Sequence, residues 1–152
     1  KNKADILTHF FSYKTRQVFD RFRDAVDQAD NAEDKLHNLI HRHLTEFQGD
    51  RNMAVVFQRE ALLARYVNEE DIKDITKMYL DILDEVIRLG QREGTMRQKM
   101  PVGLVKRYIL GAVNEVINTW VVNGGKQDLV EMVDPLVDLF FEGLGPRRAA
   151  EK

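Results

Sequence analysis

Hydrophobic residues along this chain recur every three to four positions, and no long segment alternates as a strand would. The apolar positions fall into six segments, separated by short runs that contain glycine, proline, asparagine or aspartate. The pattern therefore predicts an all-α protein. The expected helices extend from Asn2 to Ala29, Glu33 to Phe47, Asn52 to Tyr66, Asn68 to Leu89, Val102 to Val122 and Gln127 to Gly143.

Glycine and proline mark the ends of the last three helices. Gly90 and Gly94 can each end a helix in the left-handed conformation, and Pro101 suits the first turn of the helix that follows. Pro135 either kinks the sixth helix or begins a second part of it after Asp134. We therefore expect a short structured turn before the fifth helix and a break near the start of the sixth.

Several of the predicted helices carry more apolar surface than one neighbour can cover. The third is apolar nearly all round, so we expect other helices to enclose it. The fifth and sixth each have a second apolar or small-residue side, which predicts a homodimer whose four-helix bundle takes two helices from each subunit. Alternatively, the extra surface packs on the first helices. The candidate interface residues are Arg107, Gly111, Asn114, Asn118, Leu136 and Phe140.

Composition limits the class of protein. The chain has 152 residues, enough for one domain over residues 1–145, and we expect residues 146–152 to form a flexible tail. Its 23 basic and 25 acidic side chains give a net charge of −2, so these residues carry no bulk electrostatic signal for nucleic acid. Cysteine is absent, and no apolar run approaches the roughly 18 residues of a membrane span, which favours a cytoplasmic protein without a membrane partner.

Catalytic and metal-binding patterns are weak. There is no serine nucleophile elbow, phosphate-binding loop or dinucleotide fingerprint, so we do not expect an enzyme. His37 and His41 are four residues apart and could chelate a metal, or they are two solvated histidines on a polar flank. No third ligand is visible in the sequence, and we therefore predict neither a metal nor a cofactor.

The order of residues from Ile87 to Trp120 resembles the second half of the ligand-binding domain of TetR-family transcriptional regulators. In that family a long helix ends in a Gly-x-x-x-Gly-x-hydrophobic-Arg turn, matched here from Gly90 to Arg97, and a proline follows. The next helix carries Leu-Gly-Ala and later tryptophan, matched here at 110–112 and Trp120. The resemblance implies an effector-binding and dimerisation domain.

Two further stretches extend the resemblance. Residues 1–7 are similar to the junction at which TetR-family sequences leave the helix-turn-helix, which implies that the DNA-binding module precedes this chain and is absent from it. The alternative is a free-standing ligand domain. Residues 49–58 and 114–123 are similar to the fatty-acid-degradation regulators of the family. This implies a repressor that responds to long-chain acyl-coenzyme A. The alternatives are a TetR-like regulator of another hydrophobic or drug-like ligand, and a helical interaction module without a small ligand.

Polar residues beside apolar stripes are the candidate ligand contacts. In the third helix Gln58, Arg59 and Glu60 interrupt an apolar cylinder, so at least one of them is expected to point inward, where a charge needs a partner or a ligand. Arg59 either binds a polar group of the effector or forms a salt bridge at the helix flank. The remaining candidates either line a tunnel between the first five helices or belong to the core with their polar tips satisfied. They are His43, Phe47, Phe57, Tyr79, Tyr108, Glu115 and Trp120.

Overall fold

The computed structural model describes residues 3–63 and 70–145, with the side chains of residues 13–59 and 76–145. Within these residues the protein is all-α, as predicted. The helices are α1 (Lys3–Asp27), α2 (Ala32–Gly49), α3 (Arg51–Leu63), α4 (Glu70–Glu93), α5 (Val102–Val122) and α6 (Val133–Glu142), with a short 3₁₀ turn at Val130–Met132 before α6. The predicted caps at Asn2 and Asn68, the helix end at Tyr66 and the tail 146–152 lie outside the described residues.

Helix α2 is the centre of the domain and packs against α1, α3, α4 and α6. The side chains on its inner faces are almost completely buried, because these four helices cover them, while His41 and Arg42 face solvent. The Asn31 side chain accepts a hydrogen bond from the Asp34 backbone N–H at 2.8 Å and caps the start of α2. At the other end Asp50 accepts from the Met53 N–H at 3.0 Å, so this carboxylate begins α3 directly after α2 ends.

The expectation that other helices enclose α3 is wrong for its described side chains. Helix α3 packs mainly against α2 and α5, and its opposite side faces solvent. Val56 is 42% exposed, and Arg59 is exposed beside it. A sequence that is apolar all round cannot show how many neighbours are close enough to cover it.

The turn after α4 gives its two glycines different roles. Gly94 has φ +81° and ends α4, with the Thr95 N–H donating to the Gly90 carbonyl at 3.0 Å. The prediction that Gly90 could also end the helix is wrong, because Gly90 lies inside α4 and is buried. A Cβ added there would lie 2.8 Å from Cγ of Met96, so the glycine makes room for the returning turn.

The sixth helix begins later than predicted. Residues 127–129 are not helical. Pro135 occupies the first turn of α6, where a backbone N–H would have no partner within the helix, so proline costs no hydrogen bond there. The preceding loop is held in two ways. The Trp120 indole donates to the Gln127 carbonyl at 2.7 Å, and Gly125, with φ +68°, packs against the Arg51 side chain.

No helix in the described ranges is both long enough and apolar enough to cross a membrane.

Candidate functional site

Five rings from four helices meet in the core and form what we call the aromatic cluster: Phe22 from α1, His43 and Phe47 from α2, Phe57 from α3 and Tyr79 from α4. The His43 ring centroid lies 4.6 Å from that of Phe47 and 5.3 Å from that of Phe22. Phe47 in turn lies 5.4 Å from Phe57. The cluster therefore brings together four of the predicted ligand residues, and it adds Phe22.

A buried hydrogen bond joins the two polar members of this cluster. His43 Nδ1 and the Tyr79 hydroxyl are 3.0 Å apart, and each residue is only 4% exposed. Burial lowers the pKa of His43 to about 3, because the aromatic surroundings disfavour the charged imidazolium. Burial also raises the pKa of the Tyr79 phenol. The pair is therefore neutral at physiological pH.

Gln58 is the inward-facing polar residue of α3. Its Nε2 donates to the Asn118 side-chain oxygen at 2.8 Å and to the Asn114 carbonyl at 3.2 Å, both on α5. Arg59 faces outward, and the side chain of Glu60 lies outside the described residues. The interruption of the apolar pattern in α3 thus marks a polar contact between two helices, and Asn114 and Asn118 take part in it.

Two predicted ligand residues on α5 lie apart from the aromatic cluster. Trp120 is buried and anchors the loop before α6 through its indole N–H. Glu115 is exposed. Their assignment as ligand contacts stays a prediction.

Leu104, Tyr108, Gly111, Glu115 and Val122 define the exposed α5 face. These residues lie on one side of the helix, opposite the buried Ile109, Val113 and Ile117. Leu104 is 56% exposed and Tyr108 is 52% exposed. Arg107 is also exposed, while Leu136 on α6 is buried in the core. Exposed Leu104, Tyr108 and Val122 on one helix face are typical of a protein contact surface, although Glu115 lies among them.

A cavity of about 390 Å³ adjoins the exposed α5 face, between the α4–α5 turn, α5 and the end of α6. The Tyr108 and Phe140 rings meet edge to face at its wall, with centroids 5.3 Å apart. Tyr108 therefore lies with the predicted interface residue Phe140, away from the aromatic cluster. Other lining residues include Ile87, Met96, Met100 and Arg97. The predicted tunnel between the first five helices is a separate feature and stays a prediction.

The two histidines considered as metal ligands stack on each other, with centroids 6.0 Å apart. His37 Nε2 lies 2.9 Å from the Asp134 carboxylate at the start of α6, so it joins α2 to α6. Across the described side chains, no group of three or more histidine, aspartate or glutamate residues has the geometry to hold a metal ion.

Sequence reasoning missed Phe22 as a member of the aromatic cluster. It also missed Asp50 as the cap of α3. Phe22 is an apolar residue of the first helix, but only the approach of α1 to α2 shows that its ring meets His43. Asp50 had a usable signal, because aspartate three residues before a backbone N–H is a common helix cap.

Solved structures similar to this chain include transcriptional regulators. The fatty acid degradation regulator FadR from Bacillus halodurans superposes with a TM-score of 0.82 at 32% identity, over 95% of this chain and 78% of that one. FadR from Bacillus subtilis in complex with stearoyl-CoA gives 0.82 at 33% identity, over 95% and 77%. The MbdR regulator from Azoarcus sp. CIB, at 16% identity and a TM-score of 0.68, shares the fold. The class is that of the regulatory domain of a transcription factor.

The family follows from the sequence comparison. Residues 11–143 match the TetR C-terminal family described as "YsiA-like protein, C-terminal region", and the chain belongs to this family. The fatty acid metabolism regulator protein of Bacillus subtilis (strain 168) is 33% identical over 144 residues, which are 95% of this chain and 74% of the relative. The resemblance to TetR-family fatty-acid regulators is confirmed.

Proposed function

We propose that this chain is the effector-binding domain of a transcriptional repressor that senses a long-chain acyl-coenzyme A and controls genes of fatty-acid metabolism. The observation that carries the proposal is the 33% identity, over 95% of this chain, with a regulator solved in complex with stearoyl-CoA. The aromatic cluster supports it, because an acyl chain needs an apolar interior with few polar groups.

In this proposal the acyl chain runs between the first five helices and reaches the aromatic cluster. Phe47 and Phe57 supply apolar contact, while the His43–Tyr79 pair is the polar point of the site. Helix α3 is the wall that responds to the ligand, because its described side chains include the solvent-facing Val56 and Arg59 and few contacts hold that side. Gln58 then transmits a shift of α3 to α5 through Asn118.

Dimerisation and operator binding complete the proposed mechanism. Two copies pair through the exposed α5 face and α6, and an N-terminal helix-turn-helix module outside these 152 residues contacts the operator in the cytoplasm. A bound effector favours a conformation in which the separation of the two recognition helices no longer matches the operator half-sites. Repression is then relieved.

The test is effector-dependent release from DNA. Full-length protein is bound to an operator fragment that it selects from a random DNA library, and stearoyl-CoA is titrated in. We expect release of the DNA, and retention of the complex at saturating stearoyl-CoA would refute the effector assignment.

A matched pair of variants locates the site. Phe57→Glu places a charge in the proposed acyl path and should abolish release, whereas Val56→Glu alters the neighbouring exposed residue and should leave release intact. Unchanged operator affinity without effector shows that each variant is folded.

A further inference from the structure

The His43–Tyr79 pair has one more donor hydrogen than it uses. A neutral imidazole and a neutral phenol together carry two hydrogens on nitrogen or oxygen, and their mutual hydrogen bond at 3.0 Å consumes one. If the phenol donates to Nδ1, the spare hydrogen is on His43 Nε2. If Nδ1 donates to the phenol, the spare hydrogen is on the Tyr79 hydroxyl. One donor remains in either tautomer.

This spare donor has no partner among the described residues. Among the described residues, and apart from their mutual bond, His43 has ring contacts with Phe22 and Phe47, and Tyr79 has a ring contact with Phe22. Both side chains are more than nine-tenths buried. A donor with so little access to water gains from an acceptor, so the site is suited to a ligand that brings one with it.

The surroundings decide which acceptor fits. The rings that contact the pair are uncharged, and the pair itself is neutral. An ionised carboxylate would lose its hydration here and gain only one hydrogen bond from a neutral donor. The cost of desolvation would exceed that gain. A neutral carbonyl oxygen loses little hydration and gains the bond that the pair lacks.

We propose that the His43–Tyr79 pair donates a hydrogen bond to the thioester carbonyl of the effector and so selects acyl thioesters over free fatty acids. The inference rests on the proposed function, since it takes acyl-coenzyme A as the effector. It adds the chemical feature that the site recognises and the pair of residues that recognises it.

The test compares two ligands that differ only in this carbonyl. Stearoyl-CoA and its thioether analogue S-octadecyl-CoA, in which a CH₂ replaces the C=O, are titrated against the full-length protein by isothermal calorimetry. We expect the wild type to bind the thioester about fivefold more tightly, the effect of one neutral hydrogen bond. Stearate at pH 7.5 should bind much more weakly than either.

Three variants assign the donor. The double variant H43F/Y79F removes both polar groups while keeping two rings in the cluster, and its preference for the thioester should fall to about onefold. Of the single variants, His43→Phe abolishes the preference if Nε2 donates, and Tyr79→Phe does so if the hydroxyl donates. Tyr13→Phe deletes a hydroxyl from a 63% exposed tyrosine and should keep the full preference.

The outcomes separate this inference from the proposed function. This inference is overturned if the wild type binds both ligands equally, or if the double variant keeps the preference for the thioester. In either case the pair does not bind the carbonyl, while the proposed sensing of acyl-coenzyme A is unaffected. If the wild type binds neither ligand, the proposed function fails and the inference fails with it.

Discussion

Gln58 on α3 and Asn118 on α5 are joined side chain to side chain at 2.8 Å, across 60 positions of sequence. The same Gln58 amide also reaches the backbone carbonyl of Asn114. Because α3 has the exposed residues Val56 and Arg59 and α5 carries the exposed α5 face, this amide connects a partly exposed helix to the proposed dimer helix.

The contact can be measured by double-mutant cycles. Gln58→Met and Asn118→Ala should show a coupling free energy of about 0.5 to 1.5 kcal/mol in urea unfolding, the contribution of one hydrogen bond. The matched cycle uses Asn114→Ala, which keeps the backbone carbonyl and should show coupling near zero. Equal coupling in both cycles would mean that the Asn118 side chain is not the partner.

Gly90 should be intolerant of a methyl group. In Gly90→Ala the new Cβ would lie 2.8 Å from Cγ of Met96 and 3.3 Å from Cβ of Ala32, so we expect a loss of about 1 to 3 kcal/mol in the free energy of unfolding. Gly103→Ala, where nothing lies within 4 Å, should be neutral or stabilising by up to about 1 kcal/mol. Urea unfolding of both variants checks this, and similar losses would contradict it.

His43 makes stability depend on pH. Its pKa is about 3 in the folded protein and about 6.5 in the unfolded chain, so between these values the unfolded state binds more protons. The free energy of unfolding should therefore fall by up to about 1.4 kcal/mol per pH unit as the pH drops below 6.5. Denaturation of wild type and His43→Phe between pH 7.5 and 4.5 measures this contribution, which the variant should lack.

The control for this prediction is a variant of the same cluster without a titrating group. Phe22→Leu should lower stability at every pH and keep the wild-type slope. The carboxylates of Asp27, Asp50, Asp84 and Glu85 have lowered pKa values, because each accepts a hydrogen bond from an arginine or a backbone N–H, and they add their own loss only at more acidic pH. An unchanged slope in His43→Phe would contradict the assignment.

The exposed α5 face predicts the effect of a charge on assembly. Tyr108→Arg places a cation beside Phe140 in the proposed interface and should shift the protein from dimer to monomer in sedimentation velocity. Tyr13→Arg makes the same change at an exposed tyrosine on α1 and should leave the dimer intact. Dimers of equal stability in the two variants would place the interface elsewhere.

The helices were largely predictable because their signals are local. The bounds of α2 and α5 lie within two residues of the predicted ones, since apolar spacing and end residues such as Pro101 act within one turn. The start of α6 was misplaced because Leu129 continues the apolar pattern into a loop that Trp120 holds in place through the Gln127 carbonyl. The residues around Gln127 carry no pattern that predicts this contact.

The sequence predicts which types of residue belong to the site, but not which of these residues come together in the folded protein. His43, Phe47, Phe57 and Tyr79 were selected individually as apolar or amphipathic residues on core stripes, and the fold brings them together. Tyr108 had the same signature, yet it lies beside Phe140 on the outer side of α5. The pairing of one helix face with another depends on how the helices pack, and residues in distant parts of the chain determine that packing.

The one-sided packing of α3 has a consequence for how such a sensor changes over time. Phe57 is only partly buried while α2 holds fully buried core residues, so a substitution at Phe57 alters the wall of the proposed acyl site and removes fewer buried contacts than one in α2. New effector preferences can therefore arise in α3 at little risk to folding. A laboratory library aimed at new acyl sensors should begin with this helix.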